Sequence, residues 1–141
     1  MNKVHILLVE DNEGDILLTQ EAFEERKIVN KLSVVKNGKD ALDFVYKRAK
    51  FTQVNRPDII LLDINIPIKS GLEVLKDLKS NESTKSIPII MLTTSTSQKD
   101  IDDAYKNYAN SYISKPLDMI DFLEVILKIE DFWLKLVKLS K

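Results

Sequence analysis

The stretch DIILLDINIP at residues 58–67 holds four consecutive apolar residues between two aspartates. An apolar run without alternation predicts a strand buried on both faces, as in a parallel sheet covered by helices. The run VHILLV at residues 4–9 has the same character, and Glu10 and Asp11 follow it directly. Acidic residues therefore follow both predicted strands, which makes the carboxyl ends of the strands the candidate functional region.

Three further predicted strands, at residues 32–35, 87–92 and 111–114, alternate with segments that repeat apolar residues at helical spacing. The predicted helices cover about residues 15–25, 38–45, 71–78 and 98–105, and a last one begins near residue 118. Five strand–helix units in succession predict an α/β fold, a doubly wound parallel sheet with helices on both faces. Ligands of such sheets bind beyond the carboxyl ends of the strands.

The composition limits the classes of function. The chain has 141 residues, enough for one domain with its own core, and we expect a single domain over residues 1–141. A net charge of −1 provides no basic surface for nucleic acid or an anionic membrane, and no apolar run approaches the length of a membrane helix. The absence of cysteine excludes disulfides and zinc–thiolate sites. We expect a cytoplasmic protein.

The predicted strand ends bring together three carboxylates, a hydroxyl and an ammonium group, from Glu10, Asp11, Asp63, Thr93 and Lys115. Clustered carboxylates repel one another unless a cation compensates, and oxygen ligands with open positions suit Mg²⁺. An incoming phosphoryl group would be neutralised by the metal on one side and by Lys115 and Thr93 on the other. Asp63, after the central buried strand, is the natural nucleophile for an acyl phosphate.

Each of these residues also has an ordinary explanation when it is taken alone. Acidic residues such as Glu10 and Asp11 often begin a helix, where they interact favourably with its dipole. Thr93 could simply leave a strand, and Lys115 could belong to a surface turn. Only the convergence of all of them on one edge of the sheet favours a phosphoryl-transfer site.

Four motifs carry a family resemblance: ILLVEDN at 6–12, DIILLDINIP at 58–67, IPIIMLT at 87–93 and YISKP at 112–116. Together they resemble response-regulator receiver domains, and the similarity covers essentially the whole chain. The resemblance implies a flavodoxin-like receiver fold with strand order 2-1-3-4-5. It also implies a phosphoacceptor of two-component signalling, which catalyses only its own phosphorylation and dephosphorylation.

The same resemblance implies the metal ligands. Asp63 corresponds to the phosphoacceptor, and Asp11 would bind Mg²⁺ directly. Glu10 would bind it mainly through water, and Asn65 would contribute its backbone carbonyl. Mg²⁺ is the only cofactor that the resemblance implies.

Three further residues resemble the parts that report phosphorylation. Thr93 corresponds to the switch hydroxyl, Tyr112 to the aromatic switch and Lys115 to the phosphate-binding lysine. A half-buried strand aromatic is the alternative for Tyr112.

One position departs from the family pattern. Tyr108 stands where a glycine is usual, just before the fifth predicted strand. The end of a helix favours Gly or Asn in the left-handed conformation, so either Asn107 takes that position or Tyr108 is strained.

Within this family, the sequence most resembles the regulators paired with cyanobacterial and bacterial phytochrome kinases. It rests on EDN at 10–12, LTTS at 92–95 and IEDFWL at 129–134. A sensor histidine kinase of the phytochrome type is therefore the expected partner. A kinase of another type, or a place as a phosphorelay intermediate, stays open as the alternative.

Two other classes of protein share part of this residue pattern. A Mg²⁺-dependent phosphohydrolase with an aspartyl-phosphate intermediate needs a second acid two residues after the nucleophile, and that position holds Asn65. A receiver used only as a scaffold is disfavoured because every residue that the chemistry requires is present. No output domain is expected within residues 1–141, so signalling should pass through protein partners.

The last predicted helix, extended at about residues 129–139, is apolar around more than one face. A helix of this kind is usually buried against something further. We expect a homodimer that uses Phe132 and Trp133 at the contact. The alternative is that the segment folds back on its own domain.

Overall fold

The structure is a computed structural model that describes residues 4–26 and 30–115, together with Asp121, Glu124, Leu127, Lys128 and Asp131. Within this part of the chain, strands and helices alternate. The strands are β1 (Val4–Val9), β2 (Asn30–Val35), β3 (Ile59–Leu62), β4 (Ile89–Thr93) and β5 (Ser111–Ser114). The helices are α1 (Glu13–Arg26), α2 (Gly38–Val45), α3 (Gly71–Ser80) and α4 (Gln98–Lys106), with a short 3₁₀ helix at Ala49–Phe51.

The five strands form one parallel sheet in the order β2-β1-β3-β4-β5. The predicted fold is therefore confirmed, including the strand order that the family resemblance implies. Because all strands run the same way, their carboxyl ends lie at one edge of the sheet. In this register Val9 pairs with Leu62, and Thr93 pairs with Ser114.

The sheet is buried on both faces by alternate residues of the same strands. Ile60, Leu62, Ile89 and Met91 face a core cluster that includes residues of α2, α3 and α4. Their neighbours along the strands face a second cluster, which is closed by residues of α1: Ile16, Ala22 and Phe23. This two-sided burial explains why the strands read as continuous apolar runs.

The boundaries that differ from the prediction have local causes. Helix α1 begins earlier than predicted because the side chain of Asn12 accepts the backbone N–H of Asp15, at 2.9 Å. Strand β4 begins after Pro88, which has no N–H to give to the sheet. The carbonyl of Pro88 still accepts the N–H of Ile60, at 3.0 Å.

Two glycines hold the loop between β3 and α3 in place. The N–H of Gly71 donates to the carbonyl of Ile64 at 2.8 Å, and a Cβ on Gly71 would lie 2.0 Å from the carbonyl oxygen of Asp63. From the other side, a Cβ on Gly38 would lie 2.1 Å from the carbonyl oxygen of Lys69. Backbone therefore packs on backbone around the residue that follows β3.

The end of α4 resolves the question about Tyr108. Tyr108 itself takes the left-handed conformation, with φ of 68°, while Asn107 has a negative φ of −97°. The N–H of Ala109 donates to the carbonyl of Ala104 and that of Tyr108 to the carbonyl of Tyr105, each at 3.0 Å. This is a Schellman-type helix end, built here with an exposed tyrosine where glycine would be unstrained.

The five described residues of the last segment are helical and exposed. Among the described residues, none of the helices has the length and apolar character to cross a membrane.

Candidate functional site

The polar residues that follow the strands meet at the carboxyl edge of the sheet. Glu10 comes directly after β1 and Asp63 directly after β3, and the N–H of Asp63 donates to the carbonyl of Val9 at 3.1 Å. Lys115 follows β5, and its N–H donates to the carbonyl of Thr93 at 2.6 Å. The carboxyl ends of β1, β3 and β5 therefore place the side chains of Glu10, Asp63 and Lys115 together.

Three carboxylates form the centre of this edge. Glu10, Asp11 and Asp63 each offer one oxygen, and these oxygens lie within 4.8 Å of one another. Glu10 and Asp63 are buried, whereas Asp11 is exposed. Burial raises the pKa of Glu10 to about 6, the hydrogen bond from Lys115 opposes that change, and the charge of Asp63 adds to it.

Lys115 provides the positive charge of the site. Its side chain is buried, and Nζ donates to Glu10 Oε1, to Asp15 Oδ2 at 2.8 Å and to Asp63 Oδ2 at 3.4 Å. Burial alone would lower the pKa of Lys115, but the hydrogen bonds to Asp15 and Glu10 and the charge of Asp63 raise it overall. Lys115 is therefore an ammonium group that keeps its positive charge between three carboxylates.

Asp15 is the member of this group that sequence reasoning missed. The sequence pattern predicts Asp15 only as the start of a helix, and it does lie in the first turn of α1. Because α1 starts soon after β1 ends, its first turn lies beside the carboxyl edge of the sheet. The available signal in the sequence was the position of Asp15, an acidic residue in the first helical turn after Glu10 and Asp11.

Thr93 and Tyr112 lie on the side of the site formed by β4 and β5. Thr93 is fully buried, and its Oγ1 accepts the N–H of Ser95 at 3.4 Å. The hydroxyl of Tyr112 donates to the carbonyl of Ser95 at 2.9 Å, and burial raises the pKa of Tyr112. Ser95 Oγ in turn donates to Asp100 Oδ2 at 2.6 Å, so Tyr112 and the first turn of α4 are both tied to Ser95.

The loop after β3 completes the site. The N–H of Asn65 donates to Asp63 Oδ1 at 3.3 Å, which turns the backbone of Asn65 towards the aspartate. The role of its carbonyl as a metal ligand stays a prediction. Phe132 and Trp133, the predicted dimer contact, lie outside the described residues.

The donor set fits a divalent metal ion. Three carboxylate oxygens within 4.8 Å of one another, two of them on buried side chains, form an anionic oxygen-ligand site. Hard divalent cations prefer such ligands, and a cation there would favour the charged form of Glu10, whose pKa is raised mainly by burial and further by the charge of Asp63.

A parallel sheet in this order, with acids and one buried lysine at its carboxyl edge, defines a receiver-type α/β domain. The chain belongs to the response regulator family: the profile described as response regulator receiver domain matches residues 6–127. It is a signalling protein of two-component systems.

The similar proteins agree with the narrower resemblance. The chain is 37% identical over 134 residues to the response regulator Rcp1 of Synechocystis sp.. The matched residues cover 95% of this chain and 91% of the relative. The crystal structure of the phosphorylated cyanobacterial phytochrome response regulator RcpA superimposes with a TM-score of 0.87 at 37% identity, covering 94% and 95% of the two chains. The crystal structure of the Mn²⁺-bound form of Rcp1 superimposes with a TM-score of 0.84 at 37% identity. It covers 93% of this chain and 94% of the Rcp1 chain.

Proposed function

We propose that this protein accepts a phosphoryl group on Asp63 from a sensor histidine kinase, in a Mg²⁺-dependent reaction, and signals through protein–protein contacts. One observation carries the proposal. The carboxylate of Asp63 is buried between two acids that can hold a cation and a lysine whose ammonium group lies 3.4 Å away. The metal-bound and phosphorylated structures of similar regulators support it.

The chemistry follows from this arrangement. A carboxylate oxygen of Asp63 attacks phosphorus, an O–P bond forms, and the P–N bond to the kinase histidine breaks. The histidine nitrogen leaves with its electron pair and takes up a proton. Bound Mg²⁺, held by Glu10, Asp11, Asp63 and the Asn65 carbonyl, would neutralise phosphoryl oxygens. Lys115 donates to a phosphoryl oxygen on the opposite side.

The response of the fold would pass through β4 and β5. A phosphorylated carboxylate carries about 1.5 to 2 negative charges and three acceptor oxygens, which makes Thr93 Oγ1 a natural donor to it. Movement of Thr93 would change the segment whose Ser95 carbonyl accepts the Tyr112 hydroxyl. Thr93 and Tyr112 are thus the proposed switch, and Lys115 links it to Asp63.

The kinase partner is proposed from the relatives. A phytochrome-type sensor kinase is supported by the similarity to a phytochrome response regulator. A kinase of another type, or a relay intermediate, is the alternative. We expect the reaction to take place in the cytoplasm.

Incubation with a small phosphodonor tests the proposal. With Mg²⁺, wild type should gain one phosphoryl group, mapped to Asp63 by peptide mass spectrometry, and without Mg²⁺ it should gain far less. Asp63→Asn should gain none. Asp58→Asn, which changes an aspartate just before β3, should react as wild type does. A phosphoryl group at another residue of Asp63→Asn, added at the wild-type rate, would contradict the proposal.

Dimerisation through Phe132 and Trp133 stays a prediction based on the apolar pattern of the last segment. Sedimentation of wild type and of a Phe132→Ala/Trp133→Ala variant tests it. A wild type that is monomeric at every concentration would exclude it.

A further inference from the structure

Asp15 contacts the site from the helix layer. Its Oδ2 lies 2.8 Å from Lys115 Nζ, and the two residues are 100 positions apart in the chain. A lysine ammonium group has three N–H donors, and here it has three carboxylate partners, on Glu10, Asp15 and Asp63. Every donor of Lys115 therefore has a partner before any phosphoryl group arrives.

The three partners are not equivalent. Asp63 is the most distant of them, at 3.4 Å, while Asp15 on the α1 side is at 2.8 Å. The side chain of Asp15 is 33% exposed, against 4% for Glu10 and 9% for Asp63. Water can replace the ammonium group at Asp15, whereas a separated Glu10 would stay buried beside other negative charges. Asp15 is therefore the partner that Lys115 can leave most easily.

We propose that Asp15 is a positioning residue for Lys115: before phosphorylation it holds the ammonium group on the α1 side, at the long 3.4 Å distance from Asp63, and it releases the group when a phosphoryl group arrives. The inference rests on the proposed function of Asp63. Since Lys115 has no unused donor, a bond to a phosphoryl oxygen must replace one of its three present bonds, and Asp15 is the partner that water can satisfy most easily. The contact between Asp15 and Lys115 thus opposes phosphorylation and sets how readily the modified state forms.

Removal of the negative charge of Asp15 tests this role. The probe is beryllium fluoride with Mg²⁺, which mimics a phosphoryl group on a carboxylate, and bound fluoride is followed by ¹⁹F NMR. The half-saturating concentration for Asp15→Asn should be about two- to tenfold lower than for wild type, the effect of releasing a partly exposed ion pair.

Glu13→Gln is the matched control. Glu13 is an acid of the same helical turn, and it pairs with Lys36 at an exposed position away from Lys115. This variant should differ from wild type by less than about twofold, since exposed ion pairs contribute little. Equal values for Asp15→Asn and Glu13→Gln, or weaker binding by Asp15→Asn, would overturn the role of Asp15. No bound fluoride in wild type, together with no phosphoryl group on Asp63, would instead overturn the proposed function and this inference with it.

A second measurement does not depend on the folding of a variant. In a crystal structure of wild type with Mg²⁺ and beryllium fluoride, Lys115 Nζ should contact a fluorine and lie beyond about 4 Å from Asp15, the limit of an ion pair. An Nζ that keeps its contact with Asp15 while it contacts the fluorine would overturn the proposal.

Discussion

The two ends of the sheet differ in how their charged side chains are paired. At the carboxyl end, the salt bridges of the described residues give Glu10, Asp15 and Asp63 a single shared ammonium group, that of Lys115. At the amino end, the N–H of His5 donates to Asp58 Oδ2 at 2.8 Å, and the N–H of Asp58 donates back to the carbonyl of His5 at 2.7 Å.

The ring of His5 also has partners on both nitrogens. One is hydrogen-bonded to Ser33 Oγ at 2.9 Å and the other to the carbonyl of Arg56 at 3.2 Å. The amino end is therefore a set of matched hydrogen bonds that stabilises the fold. The carboxyl end holds more negative charge than its lysine can neutralise, which suits a site that takes a cation and a phosphoryl group.

The largest expected effect concerns the backbone that positions Asp63. Gly71→Ala should lower the free energy of unfolding by about 2–3 kcal/mol, because the new Cβ would lie 2.0 Å from the carbonyl oxygen of Asp63. Urea denaturation measures it. Gly14→Ala is the control: its Cβ would approach only the side chain of Asn12, at 3.2 Å, so its stability should stay within about 1 kcal/mol of wild type. Similar losses in both variants would mean that this loop is not held by close packing.

Replacement of an aspartate by asparagine should change the free energy of unfolding in opposite directions at the two ends of the sheet. Without divalent cations, Asp63→Asn should raise the free energy of unfolding by about 1 kcal/mol, because it removes one of the clustered carboxylates. Asp58→Asn should lower it by about 1 kcal/mol, since the charged acceptor of the His5 N–H becomes neutral. Urea denaturation of both variants beside wild type decides, and a loss at both positions would remove the contrast between the ends.

The smallest expected effect is a pH dependence at the amino end. Burial lowers the pKa of His5, Lys31 adds to this, and the Arg56 carbonyl and Asp58 oppose it. The unfolded chain therefore binds the proton first, and the free energy of unfolding should fall as the pH falls below the ordinary histidine value of 6.5.

The variant His5→Gln isolates this contribution in denaturation curves at several pH values. Glu10 acts in the opposite direction, because burial raises its pKa, and the variant leaves that effect in place. The difference between wild type and His5→Gln should shrink as the pH falls. A difference that is constant with pH would contradict a buried neutral His5.

The fold and most of the site were predictable because they depend on local patterns. Continuous apolar runs such as 59–62 identify buried parallel strands, and in a parallel sheet the residue after each strand lies at one edge. That reasoning alone brings Glu10, Asp63 and Lys115 together.

The rest depends on how elements pack in three dimensions. The contact of Asp15 with Lys115 requires the position of the first turn of α1 over the sheet edge, and the acidic residue in that turn indicates the contact only once this packing is known. The left-handed Tyr108 was only one of two options, because a sequence does not show which residue of a helix end takes that conformation.

The central claim is that the carboxyl end is short of positive charge and takes a divalent cation. Thermal or urea unfolding with and without Mg²⁺ tests it directly. Wild type should be stabilised by about 1.4 kcal/mol at a Mg²⁺ concentration ten times the dissociation constant. Asp11→Asn, which removes one carboxylate of the cluster, should lose most of that gain, and Asp58→Asn should keep it. If Mg²⁺ does not stabilise wild type, or stabilises Asp11→Asn equally, the claim is wrong.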